Sequence, residues 1–387
     1  MGCGNQLLFK SFKVWWVSLT VLSLTFNGGS VGALPTWMKK KPAGKAVEGT
    51  AAPESKPDGK ADASKSAAAA KSEPTTKPKA KAKINKPVVV EPFNFDSIVS
   101  LIKQDRSSID LKAVGDEILT LRRKVTEHPQ DPALRARLAA CLYLAGDLDG
   151  ASIELKRSIA LRPDDYVNHA FIARILDEVG DRESANREFR RAIDLAPEAA
   201  DPHFLYAESL LKNGDVSQAI NEYRRAISFK PYADAYSGLS EALLTMHDNI
   251  GAVKAARQGV SAENNSSRAH VALTKALVLS GEYEASYRTA RQAVLLNPGA
   301  ADSHIALGRA LYARSDRAGA VEEFKQAVQI DPLSAQARND LGYALYGRGD
   351  ILAAVNEFRL ALRLNPHLSE ARNNLEVAIH GLTGHRK

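Results

Sequence analysis

Between residues 132 and 368 the apolar positions fall into short blocks of helical spacing, and the blocks recur. In residues 301–334, Leu307, Gly308 and Leu311 share one face of a helix predicted over about 302–313. Ala320, Phe324, Ala327 and Val328 share one face of a second, over about 318–330. Only a few residues separate the two, which predicts an antiparallel helical hairpin. The pattern occurs seven times with a period of 34 residues: 132–165, 166–199, 200–232, 233–266, 267–300, 301–334 and 335–368. Eleven places into each copy stands a Leu, from Leu142 to Leu345. A turn signal follows, Gly-Asp in four copies (Gly146-Asp147, Gly180-Asp181, Gly214-Asp215, Gly349-Asp350), and every copy but the fourth closes on Pro. Asp at the turn can cap the second helix, and the closing Pro stops it. Places 8, 20 and 27 hold small residues, among them Ala139, Ala151 and Ser158 in the first copy, as close helix approach requires. A unit of this length buries its apolar face only against its neighbours. The fold class is therefore all-α, an α-solenoid of seven helix-turn-helix units.

Two departures modify the picture. The fourth copy has His247 for the turn Gly, Asn264 for the terminal Pro and Ala256 for the bulky residue of its second helix. Its entrance loop is also one residue short. An empty place of Phe size forfeits about 3–5 kcal/mol of packing, so the solenoid is expected to be softest there and to divide into two blocks. The second departure is the fourth place, which holds Arg135, His169, His203, Tyr236, His270, His304 and Arg338. Four histidines in one row invite a metal reading. Equivalent places on successive units lie farther apart than the ~8–10 Å of neighbouring helices, whereas zinc needs ligand nitrogens within about 2.1 Å, so no metal is expected. The row is read instead as histidine at the hairpin seam.

Outside the repeats, residues 1–33 read as a signal peptide or a membrane anchor. Lys10 and Lys13 precede an apolar run over 14–26, and Val31-Gly32-Ala33 offers small residues for cleavage. The run is short for a span of about 20 residues but reaches that length if extended to residue 34, so both readings stand. Lys39, Lys40 and Lys41 fit export poorly. Gln6 occupies the place where acylation wants Ser or Thr, and no lipidation is expected. Residues 34–92 form a Lys/Ala/Pro-rich linker expected to be disordered, since 39–92 contain no aromatic residue to anchor a core. Residues 93–131 read as a helical lead-in and 369–387 as a capping helix and tail. In the cap, Glu370, Arg372, Asn373 and Asn374 are expected to face water.

Charge and chemistry narrow the function. The chain carries a formal +7, but residues 39–92 hold thirteen lysines against six acids, which leaves the solenoid close to neutral and nucleic acid unexpected as a partner. Two cysteines, Cys3 and Cys141, make no disulfide framework, and Cys141 reads as a small core residue. No Walker loop, dinucleotide turn, His-Glu-x-x-His or Gly-x-Ser-x-Gly is present, so neither an enzyme nor a cofactor is expected. Asn264-Asn265-Ser266 is formally a glycosylation sequon in an inter-repeat loop.

These rows of small, Leu, Gly and Pro positions resemble the tetratricopeptide repeat (TPR) family over residues 132–368. The sequence departs from the family at the fourth place, where Trp is favoured. The resemblance implies that the α-solenoid is right-handed and that first helices line a concave groove for peptides or partner helices, with places two, five, nine and twelve facing it. The ninth row then offers Arg174, Glu208, Glu241, Lys275 and Arg309, alternating basic, acidic and basic. Tyr312, Asn339, Tyr343 and Tyr346 extend its last section. The chaperone-tail clamp of some TPR proteins is not expected, because only Asn339 matches it. The expected function is a non-enzymatic protein-interaction scaffold, secreted or periplasmic after cleavage, or anchored in the membrane through residues 14–34. The alternatives are a self-associating structural factor of the cell envelope and a binder of anionic polymer through the basic linker.

Overall fold

The computed structural model describes residues 110–384. The leader, the linker and residues 93–109 of the lead-in lie outside the described residues. What is described consists of sixteen helices in sequence. Helix α1 (Leu111–Glu127) leads in. Seven hairpins follow: α2 (Pro132–Leu144) with α3 (Leu148–Leu161), α4 (Tyr166–Val179) with α5 (Arg182–Leu195), and α6 (Ala200–Lys212) with α7 (Val216–Phe229). Next come α8 (Ala233–Thr245) with α9 (Asn249–Ala262), α10 (Ser267–Ser280) with α11 (Tyr283–Leu296), α12 (Ala301–Ala313) with α13 (Arg317–Ile330), and α14 (Ala335–Arg348) with α15 (Ile351–Leu364). Helix α16 (Ser369–Gly384) closes the array. Each helix packs against its predecessor and successor, and first helices also meet across units, which makes the fold an α-solenoid.

The turns and caps follow from the residue rows. Gly146, Gly180, Gly214, Gly281 and Gly349 adopt φ between 81° and 101°, the left-handed region that L side chains avoid. His247 and Ser315 are forced into the same conformation in units four and six. The aspartate after the turn caps the second helix through its side chain in α3, α5, α9 and α13.

The small rows receive the large ones. A Cβ on Gly308 would stand 2.7 Å from Phe324, so the ring occupies the space that Gly leaves. Phe189, Phe324 and Phe358 are fully buried in this way, and Tyr223 lies against Gly238 of the next unit. Cys141 is a buried core residue whose thiol is pushed up to about 11, first by desolvation and then by Glu117.

The fourth-place row forms a latch. Histidine Nδ1 meets a glutamate of the second helix, nineteen residues on, at 2.6 Å (His169–Glu188), 2.6 Å (His203–Glu222) and 2.8 Å (His304–Glu323). Nε2 meets the backbone carbonyl six residues back, at 3.1 Å in all three. Arg135 and Arg338 make the same two contacts, with Glu154 and Pro129 and with Glu357 and Pro332. Thus the residue at the seam ties the loop, the first helix and the second helix together. Unit four has Tyr236 opposite Ala255 and no such tie. In unit five His270 reaches the Asn264 carbonyl, but Thr289 stands in the glutamate place and Nδ1 is buried without a partner.

Three expectations are corrected. Unit four contains no emptied aromatic site: Ala256 and Gly259 are buried, and a Cβ on Gly259 would be 3.0 Å from Tyr236, so the two helices have closed up. The breaks between buried apolar clusters fall instead in units two and five; in unit five α10 belongs mainly to the central cluster and α11 to the C-terminal one. Asn374 of α16 is turned inward rather than towards water. Its side-chain amide donates to Asn339 Oδ1 at 3.0 Å.

Candidate functional site

The first helices α4, α6, α8, α10 and α12 place their ninth residues along one surface, where oppositely charged groups pair across units. Lys275 donates to Glu241 at 2.7 Å, and this cation holds the Glu241 carboxyl below its ordinary range against the effect of burial. Arg309 pairs with the buried Asp340 at 2.7 Å, which also accepts from Gln336. Arg174 pairs with Glu178 at 3.2 Å and reaches Glu208 at 4.0 Å. Desolvation pulls its pKa down, but these carboxylates outweigh it and the net shift is upward.

The two halves of the groove differ. In units one to three the polar groups are consumed by one another: Tyr143 donates to Glu178 at 2.6 Å, while the buried Asp177 accepts from Ser209 at 2.9 Å and Lys212 at 2.9 Å. Across units four to seven the surface opens into a cleft of about 450 Å³. Its floor includes Val271, Val278, Ile305 and Ala306; Glu241, Lys275, Asp302 and Arg309 rim it, and Asn365 and Leu368 form a lip. An apolar floor with a few fixed polar groups is the usual make-up of a recognition site.

Of the residues read from sequence, Glu241, Lys275 and Arg309 come together at this cleft. Arg174 and Glu208 belong to the closed half. Tyr312 and Tyr343 form a tilted ring pair 5.0 Å apart, and desolvation followed by Tyr312 raises the Tyr343 hydroxyl. Tyr346 lies half-buried near Gly381 of α16. Asn339 does not face the groove: it is fully buried under α16 and engaged by Asn374. Sequence reading missed Val271, Val278 and Ile305. The signal was there, since apolar side chains stand at the fifth place of units five and six, where the resemblance expects a groove-facing residue.

Comparison with known proteins bears on the fold. Family profiles described as tetratricopeptide repeat and TPR repeat match residues 172–236 and 308–349. No curated protein matches the sequence. Among solved structures, yeast Tom70 aligns with TM-score 0.55 and 16% identity over 80% of this chain and 68% of its own. A tetratricopeptide repeat protein from Parabacteroides merdae ATCC 43184 gives TM-score 0.53 and 14% identity over 63% of this chain and 97% of its own. The Cut9-Hcn1 hetero-tetramer of APC/C gives 0.54 and 15% over 73%, and the alignment spans only 58% of that chain. At these identities the similarity speaks for the solenoid alone.

Proposed function

We propose that this chain, in which tetratricopeptide-repeat profiles match residues 172–236 and 308–349, is a non-enzymatic interaction scaffold whose groove holds an extended segment of a partner protein between units four and seven. The observation that carries this is the cleft over Val271, Val278 and Ile305, apolar at its floor and rimmed by both signs of charge. A short run of small apolar side chains with polar flanks would bury itself there, while the rim pairs fix its register. Glu241 and Lys275, half exposed and paired, exchange partners with an arriving charged residue at little desolvation cost. The apolar run over residues 14–26 supports placing the scaffold at or beyond a membrane, by export or by anchorage.

Selection of a random displayed-peptide library on the full chain, followed by calorimetry of the selected peptides, tests the reading. Val271→Arg and Glu241→Lys are expected to weaken binding at least about tenfold, equivalent to about 1.4 kcal/mol. Peptides that bind both variants as tightly as the unaltered chain would remove the cleft from the function.

A further inference from the structure

The near-neutral net charge of the solenoid conceals a separation by face. Places 22, 25, 26 and 29 of the seven units lie on the outer side of the second helices. They hold fourteen Lys or Arg, all exposed, against two acids, Asp194 and Glu322. Place 25 is basic in every unit, from Lys156 to Arg359. Every unit but the sixth carries a net +2 at these places, and in units one to three two of the bases stand side by side, as the doublets Lys156-Arg157, Arg190-Arg191 and Arg224-Arg225. Arg157 and Arg225 lean on the latch residues Glu154 and Glu222 at 2.6 and 3.2 Å. Lys156, Arg190, Arg191 and Arg224 make no ion pair among the described residues. The glutamates that could offset them are turned inward, held by Arg135, His169 and His203.

Apolar side chains stand among these charges. Ile153 and Leu161 of α3 are 49% and 37% exposed, and Phe229 of α7 is 43% exposed. Each lies one helical turn from a basic residue of its doublet, so charge and apolar surface share a face. Successive doublets are about 16–20 Å apart, two helix spacings, and the three together cover roughly 40 Å. The same end of the solenoid continues in sequence into residues 39–92, with their thirteen lysines, and the apolar run over 14–26.

We propose that the outer face of units one to three docks on an anionic phospholipid bilayer, with the doublets among the headgroups and Ile153, Leu161 and Phe229 at the interface. The contact is confined to the units that carry doublets, which adjoin the lysine-rich residues 39–92 in sequence. A soluble polyanion would use the charges but not the exposed aliphatic side chains. Phe229 stacks on His203 within the solenoid, and no row of aromatic platforms alternates with the doublets as single-stranded nucleic acid would require. Clustered Lys and Arg beside an anionic leaflet each add to the attraction, and the effect falls away with salt.

Vesicle flotation of the full chain tests this, using phosphatidylcholine with and without phosphatidylserine. The fourfold variant Arg190→Glu, Arg191→Glu, Arg224→Glu and Arg225→Glu keeps the linker and the groove. It is expected to lose at least about tenfold in partition to anionic vesicles, while its circular dichroism and groove-peptide affinity stay unchanged. Because groove binding is read separately, failure here and failure of the scaffold reading are distinguishable. The pair Ile153→Ser and Leu161→Ser, which leaves charge intact, is expected to weaken vesicle binding about threefold and leave inorganic polyphosphate binding unaltered. Equal flotation of the fourfold variant and the unaltered chain would overturn the proposal. So would polyphosphate binding that is lost with the arginines while the Ile153 and Leu161 changes leave flotation intact, which would assign the face to a soluble polyanion.

Discussion

A histidine held between a carbonyl and a carboxylate has no neutral tautomer that satisfies both nitrogens, since each must donate. His169, His203 and His304 are so placed, and Arg135 and Arg338, which donate from both ends at any pH, are their equivalents. For His169 the burial that would depress its pKa is outweighed by the hydrogen bonds to Glu188 and the Pro163 carbonyl, leaving it raised. A pKa raised in the folded state contributes stability that is complete below the ordinary histidine value near 6.5 and fades as pH rises through the raised one. His169→Arg is therefore expected to keep the latch and to flatten the fall in Tm expected of the unaltered chain as pH rises above about 6.5, as measured by calorimetric scans; an unchanged pH slope would refute the protonated latch. The row of seam residues was read from the sequence, whereas its partner row, Glu154, Glu188, Glu222, Glu323 and Glu357, went unread although it recurs at one place of the unit. Pairing them needed the hairpin geometry, which sets nineteen residues of sequence across one seam.

At the scale of the helix pair, what varies along the array is fastening rather than fill. The fourth unit has no latch but packs closely because Ala256 and Gly259 let its helices approach. In the fifth, the latch is half made and a boundary between core clusters runs between its helices. Hydrogen exchange is expected to be fastest among the repeats in α11, with α5 and α7 slower. Thr289→Glu should supply the missing carboxylate to His270 Nδ1, add about 1–2 kcal/mol and slow that exchange. Uniform protection, or no response to Thr289→Glu, would contradict the assignment. Helix boundaries, turns and caps were legible because each rests on a residue type with one local physical role: Gly for positive φ, Asp for free amides, Pro for the stop. The place of the core break was not, because a missing side chain can leave a cavity or draw helices together, and only the packing distinguishes the two. Asn339 and Asn374 escaped for the same reason, since their contact joins α14 to a helix beyond the repeats.

On the whole molecule the repeat separates two surfaces with different chemistry. The inner one is closed by its own ion pairs in units one to three and opens over an apolar floor in units four to seven. The outer one is basic, with its bases side by side at the opposite end. Sequence arithmetic summed these faces to near zero; the charge pattern became readable only once each place of the unit had been assigned a side. The candidate groove row was legible as a row, but its division was not, because Asp340 and Asp177 lie outside that row and decide which cations stay occupied. The scaffold reading rests on the open half of the groove, and site-specific photo-crosslinking in the native host reports on it most directly. With the crosslinker at Val271, in the cleft, one discrete adduct with a partner protein is expected; with it at Leu211, in the closed half, none is expected. Adducts of equal yield from both positions, or from Leu211 alone, would contradict the account.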